Sequence, residues 1–299
     1  MSGAVVTVGT FDGLHRGHQT VLAEVVRRAQ APGKGGSLTS LLVTFDPHPL
    51  EVVNPAAAPK LLTLPDEKRD LLAGTGLGRV VVLPFTREVA QQSPEEFVRQ
   101  LRVEHGMQEL VLGHDHAFGR GRAGDEGLVR RLGAAEGFDV AVVDAVREDG
   151  QPISSTLIRA AVAHGELARA ARWLGRPYGL LGRVVPGVGR GRTIGVPTLN
   201  LAPPDARKLL PPDGVYAVWV WWRGTRYGGM MNQGPRPTFA EQGRTLEVHL
   251  LDFAGELHGE TVRVEWVQRL RDVQAFPSRE ALVAQLERDR QAARASLNL

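Results

Sequence analysis

The chain has 299 residues, 42% of them hydrophobic and 23% charged, with no cysteine and a formal net charge of +3. At roughly 150 residues per domain the length reads as two domains, and the apolar content excludes a disordered tail or a coiled coil. Without cysteine there are no disulfides, thiolate zinc sites, iron–sulfur clusters or thiol nucleophiles, and the small charge excess is too weak a field to imply nucleic acid. The metal chemistry left is His and oxygen ligation, which suits magnesium. Among the 36 basic residues only Lys34, Lys60, Lys68 and Lys208 are lysine. The start Met1-Ser2-Gly3-Ala4 lacks a leader pattern, and no window approaches the ~18 apolar residues of a membrane span. The expected location is cytoplasmic, with no membrane partner.

Residues 4–9 (AVVTVG) form a short β-branched run ending in glycine. Helical spacing follows over 19–30, through Val21, Leu22, Val25, Val26 and Ala29. A second strand is predicted over 40–45 (SLLVTF), a helix near 66–72 and a third strand over 79–84 (RVVVLP). Ser93, Pro94 and Glu96 have the spacing of a capping box with proline at the first helical position. Strands over 109–113 and 139–143 complete five, separated by helices, which implies a doubly wound parallel sheet with its ligands beyond the carboxyl ends of the strands. After residue 180 the rhythm changes to strands without helices, over 182–186, 214–223, 226–231, 244–253 and 260–270. A helix over 278–297 then closes the chain. The second half therefore reads as an antiparallel barrel with a terminal helix. Charge divides there too: residues 182–299 hold 16 Lys/Arg and 12 Asp/Glu, against 20 and 21 before them.

The string Gly9-Thr10-Phe11-Asp12-Gly13-Leu14-His15-Arg16-Gly17-His18 lies between a strand end and a helix start. Its glycines permit tight turns and close approach of a phosphate chain. His15 and His18, three apart, project to one side of a first helical turn, where they can donate to phosphate oxygens. Capping or surface histidines, or a metal pair completed by Asp12, remain alternatives. Ile153-Ser154-Ser155-Thr156-Leu157-Ile158-Arg159 reads either as a hydroxyl-rich phosphate segment or as a capped amphipathic helix. The segment from Gly113 and Asp115 to Arg122 is either an anion-binding glycine-arginine loop or a connector. Asp46-Pro47-His48-Pro49 is, on its own, a strand-ending turn.

The decapeptide resembles the HxGH signature of the nucleotidyltransferase superfamily, and Ser154, Ser155, Thr156 and Arg159 resemble its second phosphate motif. Thr44-Phe45-Asp46-Pro47-His48-Pro49 resembles the flavin-site motif of the prokaryotic FAD synthetases. This resemblance implies a Rossmann-like N-terminal domain, residues 1–180, that joins FMN to AMP from ATP and releases pyrophosphate. It gives His15 and His18 catalytic roles. Gly9, Phe11, Asp12, Asp46, Pro47, His48, Gly113, Asp115 and Arg122 become binding residues alongside the second phosphate motif.

Residues 182–200 form a second dense string that is neither a Walker A loop nor a Rossmann fingerprint. Gly187, Gly189, Arg190 and Arg192 can form a phosphate nest, and Thr198 and Asn200 alternate across Leu199, so both offer hard oxygens on one face. A plain Gly/Arg loop before a strand is the alternative. Glu247, His249 and Leu251 share a strand face by alternation; alone, Glu247 reads as a surface residue. The string resembles the riboflavin kinase signature, as do Asn232-Gln233-Gly234-Pro235-Arg236-Pro237-Thr238-Phe239 and Leu246-Glu247-Val248-His249-Leu250-Leu251-Asp252-Phe253. The resemblance implies a six-stranded Greek-key barrel over 181–299, Glu247 as general base toward the riboflavin hydroxyl, Thr198 and Asn200 as magnesium ligands, and Arg271 as a binding residue. Two positions depart from the family pattern: His258, where tyrosine is usual, and Val273, where an acidic residue is usual. Together the motifs imply a bifunctional enzyme using ATP, riboflavin, FMN and magnesium, as a monomer or weak homo-oligomer. An adenylyltransferase whose barrel only binds flavin is a second reading, and a non-catalytic nucleotide or RNA module is a third.

Overall fold

The computed structural model describes residues 3–32, 38–114, 118–186, 198–202, 204–235 and 244–299, without the side chain of residue 122. The chain divides into two compact units, Met1–Ser155 and Thr156–Leu299.

The first unit is built from β1 (Ala4–Val8), α1 (Arg16–Ala29), β2 (Thr39–Asp46), α2 (Pro49–Val53), α3 (Pro65–Ala73), β3 (Arg79–Pro84), α4 (Arg87–Gln91), α5 (Pro94–His105), β4 (Met107–Gly113), α6 (Glu126–Glu136), β5 (Asp139–Val143), and a hairpin of β6 (Arg147–Glu148) and β7 (Gln151–Pro152). The five long strands form one parallel sheet in the order β3-β2-β1-β4-β5. Every residue of the central strand β1 is buried, because helices cover both faces. Val5, Leu42, Val111 and Ala141 meet Val21, Leu22 and Val25 of α1 on one face. Val6, Leu41, Leu110 and Leu112 pack against Phe97 and Leu101 of α5 and Val129 of α6 on the other. That alternation is the period of two expected of a strand.

Helix α5 has the predicted reciprocal cap: the Glu96 N–H donates to Ser93 Oγ at 3.1 Å and the Ser93 N–H to the Glu96 carboxylate at 2.8 Å. Gly106 then ends it at φ 64°, and β4 begins at once, two residues before the predicted strand. Helix α1 starts at Arg16, three residues before its apolar pattern, because His15 rather than a Ser or Asp caps it. The short α2 and α4 and the β6–β7 hairpin were absent from the sequence reading.

The second unit opens with α7 (Ser155–Ala163), which begins on the last residue of the first, and α8 (Leu167–Leu174). There follow β8 (Tyr178–Val185), β9 (Leu199–Leu201), β10 (Gly214–Trp222), β11 (Thr225–Pro235), β12 (Arg244–Leu250), β13 (Thr261–Arg271) and α9 (Arg279–Leu297). The six strands close an antiparallel barrel in the order β10-β11-β12-β9-β8-β13. Tyr216, Val218 and Val220 alternate along β10 as fully buried residues. Between them Ala217 faces outward onto Ala293 and Leu297 of α9. Helix α8 buries Leu167, Ala170, Trp173 and Leu174, which is why the compact unit reaches back before residue 180.

Candidate functional site

In the order β3-β2-β1-β4-β5 the chain turns from one side of β1 to the other, so the switch point lies between β1 and β4, where such sheets bind ligands. Gly9 follows β1 and Gly113 ends β4, flanking that point. The loop after Gly9 is tightly coiled: Phe11 and Leu14 adopt left-handed φ of 47° and 42°, a conformation side chains avoid unless held.

Three anchors hold it. The Asp12 carboxylate is 1% exposed and accepts from the Leu62 N–H at 3.0 Å, the Thr63 N–H at 2.9 Å and Thr63 Oγ1 at 3.0 Å. Asp12 thus braces the loop, and among the described residues no His, Cys, Asp and Glu gather in a group of three able to hold a metal. Lys68 Nζ, from α3, donates to the Thr10 carbonyl at 2.7 Å, and Thr44 Oγ1 donates to the same oxygen at 3.3 Å. Burial pushes the Lys68 ammonium below the usual lysine range, while Asp12 and Asp46 pull it back up. The sequence reading passed over Lys68; its one signal was a lysine in a chain whose basic residues are nearly all arginine.

His15 caps α1: its Nδ1 accepts from the His18 N–H at 3.3 Å. The two rings stack with centroids 3.6 Å apart and planes 19° apart, and the Phe11 ring lies 4.8 Å from that of His18. A Cβ on Gly17 would sit 3.2 Å from the His15 ring, so glycine there leaves the imidazole its place. Arg16 forms an ion pair with Glu148 of the β6–β7 hairpin, and Ser155 Oγ donates to the Asp12 carbonyl at 2.9 Å. Ser155 is therefore joined to the histidine loop, and it spends its proton on that loop. Ser154 is half-buried, Thr156 exposed, and Arg159, four residues after Ser155, shares its helix face.

Asp46 ends β2 and His48 caps α2, its Nδ1 accepting from the Leu50 N–H at 3.2 Å; the Asp46–Pro47 bond between them is cis. Asp115 and the Arg122 side chain lie outside the described residues.

In the barrel, Glu247 of β12 pairs with Asn200 of β9 on one side and Asn232 of β11 on the other. Directly paired residues share a face with Cβ atoms about 5 Å apart. The three therefore form a polar row on the outer face, since Leu246, Val248 and Leu250 are the buried positions of β12. Thr198 sits just before β9 and is half-buried. Among the described residues the Glu247 side chain has no hydrogen-bond or ion-pair partner. His249 shares its face, but Leu251 does not: β12 ends at Leu250, and Leu251 turns into the core beneath α9. The Arg271 guanidinium is held by Asp289 of α9 through contacts of 2.7, 2.9 and 3.1 Å. Gly187, Gly189, Arg190 and Arg192, like residues 236–239 of the second kinase-like motif, lie outside the described residues. His258 and Val273 are both exposed.

The FAD synthetase family matches residues 1–157 and the riboflavin kinase family residues 174–297. The bifunctional riboflavin kinase/FMN adenylyltransferase of Pseudomonas fluorescens is 40% identical over 98% of this chain and 93% of its own length. The protein of the same name from Escherichia coli (strain K12) is 40% identical over 98% and 92%. A crystal structure described as a macrolide-efflux protein from Streptococcus pneumoniae superposes with a TM-score of 0.87 at 32% identity, over 98% of this chain and 94% of that one. Efflux is said of that protein; here, among the described residues, no helix is long and apolar enough to cross a membrane. With both families matched in order and relatives aligned over more than nine-tenths of each chain, this chain belongs to the bifunctional riboflavin kinase/FMN adenylyltransferase family.

Proposed function

We propose that the chain carries out both reactions of that family, phosphorylating riboflavin with ATP to FMN and adenylylating FMN with a second ATP to FAD. The observation that carries this is that one chain holds two separate polar sites. The stacked histidines lie at the switch point of a parallel sheet, and the row Asn232–Glu247–Asn200 lies on a barrel face.

In the adenylyl transfer, a phosphate oxygen of FMN attacks the α-phosphorus of ATP in line, and the bond to pyrophosphate breaks. His15 and His18 donate to the phosphate oxygens where charge accumulates. Asp12 and Ser155 hold the loop that carries them. In the kinase reaction the riboflavin 5′-hydroxyl attacks the γ-phosphorus of ATP and ADP departs, while Glu247 takes the hydroxyl proton. Thr198 and Asn200 supply neutral oxygens that fit a magnesium ion held mainly by nucleotide phosphates, where it would neutralise charge. We place the division of labour near residue 180, with 1–180 as adenylyltransferase and 181–299 as kinase. The partners are small molecules, the location is cytoplasmic, and the protein is a monomer or weak homo-oligomer.

A timed chromatographic assay with riboflavin and MgATP tests this. FMN should rise first and FAD follow. FAD formed only when FMN is supplied would leave an adenylyltransferase with a flavin-binding barrel.

A further inference from the structure

Lys68 is a partly buried ammonium committed to a main-chain oxygen, and nothing in the two reactions above uses it. It lies in α3, more than 50 residues from the loop it touches, and the Thr10 carbonyl it holds also receives Thr44 Oγ1. Among the described residues the one cis bond is Asp46–Pro47. The Thr10–Phe11 peptide is therefore trans, and its N–H points away from its C=O. Fixing the carbonyl toward α3 turns the Phe11 N–H the opposite way. That N–H has no partner among the described residues, although Phe11 is only 5% exposed. A backbone donor left without a partner in a buried segment is rare and calls for a ligand or a water. It also belongs to a residue held in a left-handed conformation at the switch point, where an anion donor is useful.

We propose that Lys68 is a positioning residue for adenylyl transfer: by clamping the Thr10 carbonyl it presents the Phe11 N–H as a hydrogen-bond donor to a nucleotide phosphate. The clamp is charge-assisted, and polarising the peptide at its oxygen strengthens the donor at its nitrogen. A cationic donor suits the task because its charge strengthens the bond to a single carbonyl oxygen. The other buried lysine behaves alike: Lys208 Nζ donates to the Gly179 carbonyl at 2.8 Å.

The proposal rests on the adenylyltransferase reading, so the test separates the two. In the full-length enzyme, Lys68→Met should lower kcat for FAD formation about tenfold or more, with the KM for FMN shifted less than about threefold. FMN formation from riboflavin should not change. Lys68→Arg, which can still donate to the Thr10 oxygen, should recover the rate to within about threefold of the parent. Thr44→Val, which removes the weaker donor and keeps the side-chain shape, should slow FAD formation by about threefold, and it carries the test if Lys68→Met does not fold. FAD formation unchanged in Lys68→Met or in Thr44→Val, or equal loss in Lys68→Met and Lys68→Arg, overturns the proposal. An unmodified enzyme that makes no FAD refutes the adenylyltransferase reading instead.

Discussion

The His15 and His18 imidazoles stack 3.6 Å apart, and the Nδ1 of the first caps the N–H of the second. The cap fixes one nitrogen of His15, so the pair is held as a preorganised unit with little reorganisation left. Changing both, His15→Ala/His18→Ala, should lower FAD formation by about 10²-fold or more. FMN formation should persist, because Glu247 belongs to the other compact unit. The assay follows riboflavin, FMN and FAD together, and equal loss of both products would sink the two-site division.

Glu247 offers the mirror experiment. Its carboxylate lies between two asparagines of neighbouring strands, and Glu247→Gln keeps the shape while removing the base. FMN formation should fall by about 10²-fold or more, while FAD formation from supplied FMN proceeds at the parental rate. A variant that still phosphorylates riboflavin normally would exclude Glu247 as the proton acceptor.

The parts of this architecture legible in the sequence are those with long local patterns. The five parallel strands are apolar runs of five to eight residues, and the capping box of α5 lies within four consecutive positions. Helices α2 and α4 have five residues each, too few to display a period, and the β6–β7 hairpin has two per strand. Within the candidate site, the side-by-side placement of His15 and His18 was legible from their spacing in one string, while Asn200 and Glu247 were each singled out by a separate motif. What escaped depends on chain-distant partners. Lys68 meets Thr10 across 58 positions and Asp12 meets Thr63 across 51, pairings that only the fold creates.

Ser155 connects the hydroxyl segment to the histidine loop by one hydrogen bond to the Asp12 carbonyl. Ser155→Ala should cost about 1 kcal/mol of local order and slow FAD formation about tenfold. FMN formation should stay at the parental rate. Unchanged FAD kinetics would show that Asp12, gripped by Leu62 and Thr63, and Lys68 hold the loop without Ser155.

Arg271 and Asp289 join the end of β13 to α9, with side chains 18% and 4% exposed. Gln285 Nε2 also donates to Asp289 at 2.8 Å. Asp289→Asn leaves the guanidinium without its counter-charge in a site that water barely reaches, and breaking such a pair costs about 3 kcal/mol. Calorimetry should show the transition of the second unit lowered, with the first unit's transition in place. A melting profile identical to the parent's would mean that Ala293, Leu297 and the Arg294–Asp252 pair hold α9 without Asp289.

Glu24 sits on α1 between two arginines. Its carboxylate accepts from Arg27 at 2.6 and 2.7 Å and from Arg28 at 2.6 Å. The Arg27 hydrogen bond, aided by Arg28 and opposed by partial burial, pulls its pKa from 4.5 down to about 2. A carboxyl group whose folded pKa lies below its unfolded value binds more protons when unfolded, so its contribution is complete above the unfolded value and is lost as pH falls toward the folded one. Glu24→Gln should therefore be less stable than the parent at pH 7, and the difference should shrink between about pH 4.5 and about pH 2. Urea unfolding of both proteins at pH 7, 4 and 3 measures it. A stability difference that stays constant down to pH 3 would place the acid sensitivity elsewhere.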